Sequence, residues 1–269
     1  MRVVLASARS SPGVTTAMLA CGSVWPDRVL LVEASEDGGA LAPRFGLTVE
    51  PGLTTLAAAS RHGSNGHGPA GVLAGHVQAL PGTERITGLV GPTSLEAAQA
   101  LLRTAAGRLA DLLGAVSEDV LIDAGRLPAT PLAGPLLARA DRLLLVVRPR
   151  TEELTALAHR LAHLTGLGPP PELLLVGDRP YGPDEIADTL QVPVVGVLAH
   201  DPDTADAFGA AGPVRRLGRS PLLRSATGIV DRLTADRAAP SGDLPIEGRV
   251  NGQAAGSQRR WLVRGRAAR

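Results

Sequence analysis

Residues 2–33, RVVLASARSSPGVTTAMLACGSVWPDRVLLVE, decide the fold. RVVLAS is an apolar run of strand length. ARSSPGVTT is a polar turn holding a proline and a glycine, AMLACGSV is apolar at helical length, and RVLLVE is a second strand ending on an acid. Strand, glycine turn, helix, strand is the layout of a phosphate-binding loop, in which backbone N–H groups at a helix N-terminus meet an anion. The pattern G-x-x-x-x-G-K-[ST] puts its fixed positions on Ala8, Gly13, Val14 and Thr15, so two of four match. Gly13 permits a tight backbone approach, and Thr15 has the hydroxyl that would reach Mg²⁺. The amides of Ser11, Gly13, Val14, Thr15 and Thr16 make an anion nest, less the donor that Pro12 lacks. The lysine of the pattern is missing, and no other residue can supply it: all 27 basic residues of the chain are arginine. A strand-to-helix turn with no ligand is the plain alternative.

Outward from this stretch the same alternation continues. Strands are predicted at Val3–Ser7, Val29–Glu33, Ile86–Val90, Val120–Asp123, Leu143–Val147, Leu173–Val176 and Val194–Leu198. Several are unbroken Val/Leu/Ile runs, as strands buried on both faces are. Helices are predicted at Ser94–Leu113, Glu152–Leu164, Pro183–Leu190 and Leu222–Ala235. Alternating strands and helices imply an α/β fold: a doubly wound, mostly parallel sheet with helices on both faces. We expect one domain over residues 1–235, with a mobile surface loop at 60–71 (SRHGSNGHGPAG). Residues 236–269 read as a disordered linker and basic tail.

Composition narrows the classes. Of 269 residues, 44% are hydrophobic and only 2% aromatic, so the core is aliphatic. No run of 18 apolar residues suggests a membrane span, the N-terminus lacks a secretory pattern, and the lone Cys21 excludes an internal disulfide. A cytoplasmic protein is expected. Every acid lies at or before Glu247, whereas Arg249, Arg259, Arg260, Arg264, Arg266 and Arg269 follow it. The body is therefore acidic and the tail basic, which disfavours nucleic-acid binding by the body.

The strings RSSPGVTTAMLA, RVLLVEASEDGG, DVLIDAG, ADRLLLVVRP and VPVVGVLAHDP, in this order and spacing, resemble the MinD/ParA group of deviant-Walker ATPases over residues 2–235. SPGVTT paired with LLVEA is also similar to the TadZ/CpaE-like proteins that localise Tad-type pilus secretion machinery. The resemblance implies a P-loop NTPase fold, ATP and Mg²⁺ as ligands, a homodimer, and a protein partner in a localisation or secretion machinery. It places Arg9 where the family's signature lysine reaches across the dimer, with Ser10 and Ser11 following in the loop. Val14 takes the phosphate-gripping lysine's place. Glu33 matches the acid ending the second strand, but the water-orienting aspartate two residues on is Ser35; Glu36 and Asp37 are out of register. Asp123 matches the acid that holds Mg²⁺ through water, together with Thr15, and Asp178 stands where the family contacts adenine. Catalysis, if retained, would rest on Arg9, Glu33 and Asp123. The departures imply weak or absent hydrolysis, because phosphoryl transfer depends on positioning and charge neutralisation. A slow working switch in chromosome or plasmid partitioning or septum-site placement is the rival reading.

His159 and His163 share a helix face, yet Arg160 replaces the glutamate of a metalloprotease motif, so solvated or helix-end roles are expected. His62 and His67 lie in the glycine-rich loop. Asp201 and Asp203 suit a helix cap; the resemblance alternatively puts their loop near the base and ribose. Arg259, Arg260, Arg264 and Arg266 around Trp261 suit an anionic membrane surface. A nucleic acid, an acidic protein or solvent alone are the alternatives, with DNA the less favoured partner.

Overall fold

The computed structural model describes residues 1–9, 12–61, 68–208 and 220–238. The elements run β1 (Arg2–Ser7), α1 (Val14–Ser23), β2 (Val29–Glu33), α2 (Leu41–Phe45), α3 (Leu53–Ala59) and α4 (Pro69–Ala74). Then come β3 (Gln78–Ala79), β4 (Ile86–Leu89), α5 (Leu95–Gly114), β5 (Asp119–Arg126), α6 (Gly134–Ala138) and β6 (Arg142–Val147). The last are α7 (Thr151–Leu164), β7 (Pro171–Val176), α8 (Pro183–Leu190), β8 (Val194–Leu198), α9 (Pro202–Ala207) and α10 (Pro221–Ala238). Among the described residues the sheet order is β3-β4-β2-β5-β1-β6-β7-β8. Every neighbouring pair is parallel except β3 with β4. All seven expected strands and all four expected helices form.

Strand alternation sorts the core into two layers. Along β1, Val4 and Ala6 join the layer covered by α3, α5, α6, α7 and α8. Val3 and Leu5 join the layer covered by α1, α2 and α10. The same alternation along β2 and β5 sends Leu31 and Leu121 to the α1 side. Glu33 and Asp123 sit two residues further on, so both face α1, and they are register partners across the two strands. Period two has thus placed two acids side by side at the carboxyl edge of the sheet. Open α/β sheets collect ligands at this edge, where the strand order reverses. Here β1 is the pivot: β5 and β2 lie on one side, β6 to β8 on the other.

The structure corrects three expectations. Residues 69–71, read as loop, begin α4, with Pro69 in its first turn where a missing N–H costs nothing. The final helix runs three residues past Ala235, to Ala238. The short α2 and α3, between Glu33 and the glycine-rich loop, carry too few turns for periodicity to reveal them. His62, His67, Arg249, Arg259, Arg260, Trp261, Arg264, Arg266 and Arg269 lie outside the described residues. No helix among the described residues is long and apolar enough to cross a membrane.

Candidate functional site

The site grows from the turn between β1 and α1. Gly13 is the N-cap of α1 in the left-handed region, φ 105°, which favours glycine. It makes no side-chain cap, and the first turn of α1 carries no acid. The first intrahelical bond there runs from the N–H of Ala17 to the carbonyl of Gly13 at 2.8 Å. The amides of Val14, Thr15 and Thr16 therefore have no acceptor within the helix and face outward with the positive end of its dipole. Ser10 and Ser11 lie outside the described residues.

Beside this turn opens a cleft of about 390 Å³. Gly13, Val14, Thr15 and Thr16 line it from α1, with Asp123 on β5. The Thr15 hydroxyl donates to Oδ2 of Asp123 at 2.5 Å, and the Gly125 N–H donates to its Oδ1 at 2.8 Å. Asp123 is only 3% exposed. Burial pushes its carboxyl above the ordinary carboxylate range, against the pull of those two bonds and the nearby Arg44 charge. A hydroxyl and a buried carboxylate this close are the hard oxygen donors that a hydrated Mg²⁺ accepts, so Thr15 and Asp123 fit the ion. The two would hold it, and its charge would sit against phosphate oxygens.

Glu33 has a different fate. It is 2% exposed, and its carboxylate accepts N–H groups from Ala40, from Leu41 at 2.7 Å and from Gly91 at 3.1 Å. Burial raises its pKa first, those bonds lower it, and the Asp123 charge raises it. Of the three residues expected to carry catalysis, Glu33 is thus occupied in holding the segment that leads into α2. Arg9 is exposed and does not line this cleft or the smaller one beside it, and Asp178 lines neither. Val14 is 7% exposed, packed in the apolar layer with Ala17 and Met18.

Besides two glycines, five cleft residues carried no signal in the motif. Asp37 reaches the cleft despite its register, paired with Arg126 at 3.2 Å. Glu36 turns inward, its carboxylate accepting the Leu132 N–H at 2.5 Å. Ser7, Arg44 and Arg148 complete the set of five with Asp37 and Arg126. Arg126 closes β5 and Arg148 directly follows β6, so the strand-end rule points to both. Nothing in the spacing points to Arg44.

A smaller cleft of about 110 Å³ adjoins across Gly13, Thr16 and Arg148, with Pro12, Val176, Leu198, His200, Asp201 and Leu222 on its walls. Asp201 caps α9, accepting from the N–H of Thr204 at 3.1 Å and its hydroxyl at 2.7 Å, while also lining this cleft. The cap expected of Asp201 forms; Asp203 sits in the first turn of α9. Nδ1 of His163 lies 3.2 Å from the His159 carbonyl, at the exposed end of α7. The described residues contain no group of three metal-ligating side chains.

No family model matches the chain, and no curated protein matches it by sequence. Solved structures do. A ParA family ATPase from Chlorobium tepidum TLS is 19% identical, with TM-score 0.68 over 86% of this chain and 97% of its own. The septum site-determining protein MinD complexed with Mg-ADP, from Pyrococcus horikoshii OT3, is 16% identical, with TM-score 0.69 over 88% and 98%. A complex of a Cyanothece McdA variant with ATP is 19% identical, with TM-score 0.64 over 87% and 96%. The mostly parallel α/β sheet with helices on both faces matches these structures, and this chain has the fold of the MinD/ParA ATPases.

Proposed function

We propose that the chain is a MinD/ParA-like positioning or scaffold protein that binds nucleotide with Mg²⁺ weakly, hydrolyses it slowly or not at all, and uses it to gate homodimerisation. One observation carries this reading. At the position of the phosphate-gripping lysine stands Val14, whose side chain is packed into the core beneath α1. The loop retains its amides, its glycine and its Thr15–Asp123 pair. Binding parts persist while the charge that speeds transfer is gone. The water-orienting position is Ser35, whose hydroxyl instead accepts the Asp37 N–H at 3.2 Å. Neighbouring structures that hold Mg-ADP and ATP support the choice of ligand. Light scattering with and without ATP·Mg²⁺ tests the gate: the account expects a shift from monomer to dimer, and an unchanged mass overturns it.

In its specific form the protein localises a Tad-type pilus or secretion apparatus, a reading supported by the SPGVTT and LLVEA strings. Peripheral membrane contact through Arg259, Arg260, Trp261, Arg264 and Arg266 completes it. Co-sedimentation with anionic liposomes, lost on removing residues 248–269, is the expected result. Salt-sensitive binding to random DNA lost with the same truncation would point to partitioning instead.

Asp37 favours the rival reading, an active slow ATPase switch. It is a carboxylate on the cleft, two residues from where the family keeps its water-orienting acid. The Arg126 partner holds it in an ion pair at the rim, which argues against that role.

A further inference from the structure

The chain lacks lysine, yet the cleft is ringed by positive charge. Arg44 reaches it from α2, Arg126 from the end of β5 and Arg148 from just beyond β6. None of the three belongs to the phosphate loop. Two acids line the same cleft, Asp37 and Asp123. Three guanidiniums face two carboxylates on the cleft wall, with Glu153 behind Arg148, and the amino end of α1 adds its positive dipole end, so the cleft attracts anions.

The three arginines are not equivalent. Arg126 is engaged with Asp37, and both are about half exposed. Arg44 is half-buried, and its charge is felt at Asp123, on the cleft floor. Arg148 lies against Glu153. Its backbone N–H donates to Oε2 of the buried Glu153 at 3.0 Å, and its guanidinium lies 3.9 Å from Oε1 of the same residue. It also lines both clefts, so it stands where the wide polar space meets the narrow apolar one. A ligand filling both carries a charged part in the wide space and a less polar part in the narrow one.

We propose that Arg44 and Arg148 supply the cationic grip on the phosphates of a nucleoside polyphosphate, in place of the loop lysine that this chain lacks. The proposal rests on the nucleotide reading above and adds the residues that make it electrostatically workable. A guanidinium keeps its charge at any working pH and offers parallel N–H donors to two phosphate oxygens. Delivered from α2 and the β6 edge, it reaches the phosphates from outside the loop, where the buried Val14 cannot.

Calorimetric titration of the full chain with two probes, ATP·Mg²⁺ and inorganic triphosphate, tests this. The proteins are wild type, Arg44→Gln, Arg148→Gln, Arg148→Lys and Arg103→Gln. Wild type is expected to bind both probes. Arg44→Gln and Arg148→Gln each weaken both by about ten- to a hundredfold, the loss of one charge-assisted contact. Arg148→Lys retains part of the affinity, and Arg103→Gln, an exposed α5 position outside both clefts, changes nothing. Thermal melting without ligand separates binding loss from fold loss; should Arg148→Gln melt early, Arg44→Gln and Arg148→Lys carry the test. If ATP binds wild type and the glutamine variants alike, the arginine assignment is wrong and the nucleotide reading stands. If triphosphate binding depends on the arginines but ATP does not bind, the assignment to a nucleoside polyphosphate and the nucleotide reading both fall. Binding of neither probe overturns both.

Discussion

The carboxyl ends of β2 and β5 lie side by side, each finishing near an acid on the α1 face of the sheet, and they have been put to opposite uses. Glu33 is wrapped by the segment that follows it, its carboxylate accepting three backbone N–H groups. Asp123 keeps one oxygen on the Gly125 amide and turns the other to the Thr15 hydroxyl at the cleft floor. The first is a structural anion, the second a ligand-facing one. Residue type and register are nearly the same; what differs is the chain beyond. After Glu33 come Gly38 and Gly39, which let the backbone fold back onto the carboxylate. After Asp123 the chain leaves the cleft open.

The contrast breaks most visibly at Glu33. Glu33→Ala leaves buried amides without acceptors, and we expect about 3 kcal/mol or more of lost stability in urea unfolding. Asp123→Asn keeps the contact with Thr15 and should change stability by less than about 1 kcal/mol at low pH, while weakening Mg²⁺-dependent nucleotide binding. Equal losses in the two variants would erase the distinction.

Next in size is Gly39. A Cβ there would sit 2.5 Å from Oε2 of Glu33, and the pinned carboxylate has nowhere to retreat. Gly39→Ala should destabilise by about 2 kcal/mol, an overpacking cost. Gly75→Ala, where an added Cβ meets nothing within 4 Å, is the control and should be close to neutral.

The pH dependence sharpens the comparison further. Both carboxyls are raised in the folded state, chiefly by burial. Each therefore contributes stability that is fully present below its unfolded pKa and is lost as pH rises through the raised folded value. Across that window above the usual carboxylate range, each group lowers stability by at most about 1.4 kcal/mol per pH unit. Stability curves of wild type and Asp123→Asn, superimposed at low pH, should separate as pH rises, with the variant the more stable. Parallel curves would show that the Asp123 carboxyl is not perturbed. The smallest effects are expected at Arg9 and Asp178, both exposed and lining neither cleft: alanine at either should leave stability within about 0.5 kcal/mol.

Long-range patterning made the fold legible. Unbroken apolar runs such as Leu143–Val147 and the helical spacing from Leu95 to Leu113 locate themselves without help from partners. The Thr15–Asp123 pair was legible too, because a motif and a strand end fix it. The arginines were not. Arg44, Arg126 and Arg148 are far apart in sequence and are brought together only by the strand order, which no local pattern states. The same holds for Asp37, excluded by register yet carried to the rim by the turn through Gly38. Motif reading counts positions along the chain, whereas a cleft at a sheet edge gathers residues across it.

Steady-state phosphate release from ATP·Mg²⁺, measured for wild type beside Thr15→Ala and Asp37→Ala, decides whether the cleft turns nucleotide over. A loop that binds without the gripping lysine should give wild-type release indistinguishable from both variants. Release clearly above Thr15→Ala, and lost in Asp37→Ala, would mean that the cleft is a working ATPase with Asp37 as its acid.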